Sequence, residues 1–139
     1  MSRIASLVMT FWAGSLWTVC GLVAPTLFAT LDDRQLAGQL AAMFFRAETY
    51  IGVIAALVLV GLSITGKLSL AGGLVKTLIA VTVAAPLISQ VLLGPFMERA
   101  RAAGDMARFG ALHGAAALLF VVACLSALLL VWRLHRPAE

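Results

Sequence analysis

Phe109-Gly-Ala-Leu-His-Gly-Ala-Ala-Ala-Leu-Leu-Phe-Val-Val-Ala-Cys-Leu-Ser-Ala-Leu-Leu-Leu-Val-Trp132 contains no Asp, Glu, Lys or Arg. About 20 such residues in a helix cross the roughly 30 Å hydrocarbon layer of a bilayer. Lipid offers no hydrogen-bond partner to an unpaired peptide group, so a stretch that sits in it must pair its own N–H and C=O groups as a helix. This segment therefore predicts a transmembrane span and sets the solvent in which the rest of the chain is read.

The same criterion finds three more spans. Ile4 to Leu31 and Thr77 to Met97 are free of Asp, Glu, Lys and Arg, and Thr49 to Gly66 is a shorter run whose helical pattern extends backwards through Ala41, Ala42, Met43, Phe44 and Phe45. The prediction is an all-α fold, a four-transmembrane-helix bundle with amphipathic segments between helices 1–2 and 3–4. One integral-membrane domain covers residues 1–139, with spans near 4–30, 44–66, 74–95 and 109–132. Composition agrees: 63% of residues are apolar and 12% charged, against about 25% charged in soluble domains. A net charge of +4 is spread over short connecting segments, which excludes the basic stripe expected of a nucleic-acid partner.

The connections differ. Gly66, Gly72 and Gly73 predict a tight turn around Lys67. Asp32 or Asp33 can cap a helix entering Gln35–Phe45. After Pro95, Glu98, Arg101, Asp105 and Arg108 fall at helical spacing along the membrane surface. Both amphipathic connections follow odd-numbered spans and share one face. Lys and Arg divide equally between the two faces: Arg3, Lys67, Lys76, Arg133 and Arg136 against Arg34, Arg46, Arg99, Arg101 and Arg108. The tight Lys67 turn and the Arg-containing tail lie nearest the spans, so both termini are expected in the cytoplasm.

An ionisable group inside a span is costly unless paired or wetted, which makes Glu48 and His113 the residues to weigh. Glu48 shares a helical stripe with Gly52, Ala55 and Leu59, whereas His113 flanks Gly110, Gly114 and Ala117. Small residues mark faces where helices approach, and Gly110 to Gly114 is a G-x-x-x-G. The expectation is a polar pocket at one rim of the bundle formed by His113, Glu48, Tyr50 and Gln90. His113 and Glu48 would be metal ligands or proton-exchanging groups there, with Gly52, Gly110 and Gly114 at helix contacts. The alternative is a Glu–His hydrogen bond that only ties two helices together. Arg46 and Tyr50, on the opposite side of helix 2, read as an interfacial anchor. No cofactor is named by the residues; a metal ion is the one candidate. Met43, Met97 and Met106 are thioethers that suit Cu(I) but also serve as apolar filler. Cys20 and Cys124 lack any C-x-x-C spacing and read as buried thiols. No nucleophile elbow, P-loop or dinucleotide fingerprint occurs, so no enzyme activity is expected.

Phe11-Trp-Ala-Gly-Ser-Leu-Trp17, Val23-Ala-Pro-Thr-Leu-Phe-Ala-Thr-Leu31, Phe45-Arg-Ala-Glu-Thr-Tyr50 and Arg108-Phe-Gly-Ala-Leu-His-Gly114 together resemble the bacterial proteins that carry domain of unknown function 4149. That family is similar to eukaryotic transmembrane protein 205 and, more distantly, to the copper-resistance D membrane proteins. The resemblance implies a four-span protein of the bacterial inner membrane and raises metal handling, with Glu48, Tyr50 and His113 matching the family's polar pattern. The functional expectation is a small membrane protein that binds or moves a metal ion, proton or small solute. Its rival is a non-catalytic accessory subunit that packs, as a homodimer or in a larger membrane complex, through its small-residue faces.

Overall fold

A computed structural model describes residues 3–66 and 73–134. The expected turn at Lys67 and Gly72, and the tail residues His135 and Arg136, lie outside them. Among the described residues, four helices are long and apolar enough to cross a membrane: Arg3–Thr30, Arg34–Ile64, Gly73–Ala102 and Met106–Arg133. The chain is thus a multi-pass membrane protein whose surroundings are a lipid bilayer. Leu7, Phe11, Leu57 and Leu118 are among the many large apolar side chains left exposed to it.

The first span consists of α1 (Arg3–Thr18), a π-helical turn (Val19–Val23) and α2 (Ala24–Thr30). The third repeats this plan with α4 (Gly73–Ile88), a π-helical turn (Ser89–Leu93) and α5 (Gly94–Ala102). Each wide turn precedes a proline, Pro25 or Pro95, at the start of the next helix. Proline has no N–H to donate and crowds the preceding turn. The ladder widens to absorb it: Ala24 N–H reaches back to Val19 O, and Gly94 N–H to Ser89 O. Pro95, expected to permit a break, leaves the third helix running on to Ala102.

The even-numbered spans are the unbroken helices α3 (Arg34–Ile64) and α6 (Met106–Leu134). The amphipathic segments expected before them are continuous with the spanning helices, α3 carrying Gln35–Phe45 as its first turns and α5 carrying the residues after Pro95. Only short links then remain. Asp33 closes the first by accepting from Gln35 N at 2.8 Å and Leu36 N at 3.1 Å. In the other, Gly104 takes φ +72°, which a residue without a Cβ adopts freely. That conformation lets Asp105 N donate to Ala100 O at 2.9 Å and Gly104 N to Arg101 O at 3.1 Å, satisfying the last carbonyls of α5. The Asp105 side chain then accepts from Arg108 N at 3.0 Å and starts α6. Arg101 lies over the Phe109 ring, 4.6 Å from its centroid.

The spans form a ring in which the first packs on the second and fourth, and the third packs on the fourth and second. Phe45 of α3 reaches across to Phe120 of α6, with ring centroids 4.5 Å apart. The core around them is built from Met9, Trp12, Leu16, Leu59, Phe120 and Leu130, among others.

Candidate functional site

At 100° per residue, α3 brings Glu48, Gly52, Ala55 and Leu59 onto one stripe, and all four are buried. Glu48 is only 3% exposed. It stands about 21 Å from the Arg34 end of the helix and about 24 Å from the Ile64 end at 1.5 Å per residue, hence near its middle and away from either rim. Gly52 explains how the first span comes close enough to serve it. A Cβ at that position would lie 3.1 Å from Trp12 Nε1, so the indole packs directly on the α3 backbone one turn from Glu48.

That approach delivers Ser15. Its Oγ lies 2.9 Å from Glu48 Oε1 and also 2.9 Å from Trp12 O. A hydroxyl carries one proton and can satisfy one acceptor at a time. With the carboxylate ionised, Ser15 donates to Glu48. With the carboxylic acid formed, Glu48 can donate to Ser15 while Ser15 donates to Trp12 O. The geometry therefore accommodates either state of the acid.

Cys124 is buried in the core, and Cys20, half-buried, packs against the same cluster. Both are free thiols. Trp17 Nε1–H donates to Cys124 O at 3.2 Å and ties the first span to the fourth at this level. A cavity of about 510 Å³ opens between the first and second spans, and its wall includes Thr10, Gly14, Ser15, Thr18 and Glu48.

His113 is elsewhere. It is exposed, with its ring stacked on Phe109 at 5.8 Å and 14°. It lies eleven residues before Cys124 on α6, about 16 Å along the axis. The expected pairing of His113 with Glu48 at one rim is therefore not formed, and the joint metal site it implied is not assembled. Two physical reasons account for this. Because α3 begins at Arg34, Glu48 sits in the middle of its helix rather than at its opening. In addition, the buried stripe of α6 is Ala116, Phe120, Ala123, Cys124, Ala127 and Leu130, not the Gly110–Gly114 face. A Cβ at Gly110 or Gly114 would meet nothing within 4 Å, so the close helix contact expected there is not made among the described residues. Among the described residues, no three His, Cys, Asp or Glu side chains gather as a metal-binding group. Met43 and Met106 are exposed.

Tyr50 and Gln90 do come together, but away from Glu48. With Arg46, Thr49, Leu87 and Val91 they line a groove of about 300 Å³ between α3 and the third span. Ser15 as the partner of Glu48 and the place of Arg46 in this groove were not anticipated. One signal for Ser15 was present: Thr10, Gly14 and Thr18 repeat at i,i+4 beside it, a small polar stripe in an otherwise apolar helix.

Comparison with the curated proteins and with the solved structures returns no match. A family model does match, over a stretch that ends before the Arg108–Gly114 segment. By that match over residues 7–106, the chain belongs to the family defined by domain of unknown function DUF4149.

Proposed function

We propose that the protein is a non-catalytic proton-binding protein of the bacterial inner membrane, its termini in the cytoplasm, which exchanges a proton, alone or with a small solute, at Glu48. One observation carries this reading: a carboxyl group 3% exposed at the middle of a spanning helix, hydrogen-bonded to Ser15 at 2.9 Å and lining a cavity between two spans. A buried intramembrane carboxyl is expensive to keep and marks a functional path more often than a surface one does. Of the solutes weighed from the sequence, a proton needs the fewest ligands, since a single carboxyl is a complete site for it. The step is balanced in itself: a proton adds to Glu48 Oε, the Ser15 hydroxyl turns to Trp12 O, and the reverse releases the proton. The likeness to transmembrane protein 205 and the copper-resistance D group belongs to this proposal as a reason to include metal ions among the co-transported solutes tested.

Proteoliposomes holding the purified protein and a pH-sensitive dye test it. After an imposed pH step, proton equilibration is expected to fall to the protein-free leak in Glu48→Gln and to persist in Glu48→Asp. Equal rates for the wild type and Glu48→Gln would remove the proposal.

A second reading is favoured by the outward face of α6, where Gly110, His113 and Gly114 are exposed. Here the protein is an accessory subunit whose fourth span packs on a second copy or a larger membrane complex. Loss of co-purifying chains in Gly114→Leu, with helicity intact, supports this reading, and retention of them counts against it.

A further inference from the structure

The face of α3 opposite Glu48 carries a cation in an unusual position. Arg46 lies twelve residues past the start of α3 at Arg34 and eighteen before its end at Ile64, about 18 and 27 Å along the axis. It is exposed, and among the described residues it has no hydrogen bond or ion pair. A guanidinium stays charged at any working pH, and inside a bilayer an uncompensated charge is costly. The remedy available to this side chain is to lean toward its helix N-terminus, where Cα–Cβ vectors point, and to find a counter-charge there.

The groove beside it has the chemistry of such a site. Arg46 and Tyr50 share one stripe of α3, and Gln90 faces them from the third span. Thr49 uses its hydroxyl on Phe45 O at 2.9 Å. The remaining polar groups are a guanidinium, a phenol and a carboxamide, all able to donate, and no carboxylate lines the groove. Leu87 and Val91 make the rest of the wall apolar. Donors at one point and hydrocarbon along the side select an amphiphile with an oxyanion head. A neutral lipophile would leave the guanidinium uncompensated, and a zwitterionic lipid would add a cation beside it.

We infer that the groove formed by Arg46, Tyr50, Gln90, Leu87 and Val91 between the second and third spans is a binding site for an anionic lipid. Its phosphate or carboxylate is held by Arg46, with Tyr50 and Gln90 donating, and its acyl chain lies on Leu87 and Val91. The site is independent of proton exchange at Glu48, which opens on the other side of α3.

Native mass spectrometry of the full chain tests this after delipidation in a neutral detergent and titration with phosphatidylglycerol, phosphatidylcholine or oleate. The wild type is expected to retain an anionic amphiphile at a concentration about tenfold below that needed for phosphatidylcholine. Arg46→Gln is expected to abolish the preference, and Arg46→Lys to keep part of it, because a point charge lacks the bidentate geometry of the fork. The Tyr50→Phe/Gln90→Leu double variant keeps the charge and is expected to weaken the preference less than Arg46→Gln, which separates recognition from any loss of fold. Preference for phosphatidylglycerol over oleate assigns a phosphate headgroup, and the reverse assigns a free carboxylate. Equal retention of phosphatidylcholine and both anions by the wild type, or a preference unchanged in Arg46→Gln, overturns the site.

Discussion

The two long helices, α3 and α6, occupy corresponding places, each following a span with a π-helical turn at the same distance from its start, yet their glycines do opposite things. Gly52 of α3 faces inward, and Trp12 packs so closely on it that an added Cβ would lie 3.1 Å from the indole nitrogen. Gly110 and Gly114 of α6 face outward, with nothing within 4 Å. A small residue shows where two backbones are able to approach; only a large neighbour aimed at it makes the approach happen. In the first half that neighbour exists, and it brings Ser15 onto Glu48.

Removing the neighbour should have the largest effect. Trp12 is 2% exposed, and its replacement by Ala is expected to lower unfolding stability in detergent by about 3 kcal/mol, the lower end for a buried aromatic truncation. Filling the glycine comes next: Gly52→Leu is expected to cost about 2 kcal/mol through overpacking against Trp12 and, by pushing the first span outward, to weaken the proton exchange proposed at Glu48. If Gly52→Leu melts like the wild type, the indole contact does not govern the approach. The helix starts are expected to be alike in the two halves. Asp33→Ala and Asp105→Ala should each cost about 1 kcal/mol, because each leaves helix N–H groups without an acceptor. A difference between them, read from thermal melts, would show the halves to be unequal at their connections as well. Gly114→Leu should change monomer stability by less than about 0.5 kcal/mol. A large loss would mean that this face is covered in solution.

Much of this was legible in the sequence, for particular reasons. The spans were visible because the absence of charge over a bilayer's thickness is an unambiguous signal. The Asp33 cap was readable from local chemistry, and the stripe of Glu48, Gly52, Ala55 and Leu59 from helical geometry. His113 was misplaced because a bundle in lipid has an exterior as apolar as its core, so periodicity does not tell the two faces of α6 apart. Counting from the ends of charge-free runs also put Glu48 at the opening of its helix, whereas α3 runs back through Arg46 and Gln35 to Arg34. The Ser15 contact depends on a side chain from the neighbouring span, and no pattern within α3 encodes it.

The wide turn at Val19–Val23 also acts as a rotary spacer. It adds one residue to a coil that otherwise advances about 100° per residue, so everything beyond it is turned relative to the α1 below. Shortening the chain by one residue there, with Ala24 then pairing as an ordinary α-helix, would swing Phe28 off Gly38, where an added Cβ would lie 3.9 Å from the Phe28 ring. The upper end of the first span would disengage from the second while the lower end, with Ser15, stayed in place. The extra residue is therefore what lets a proline-bearing span hold its neighbour along its whole length.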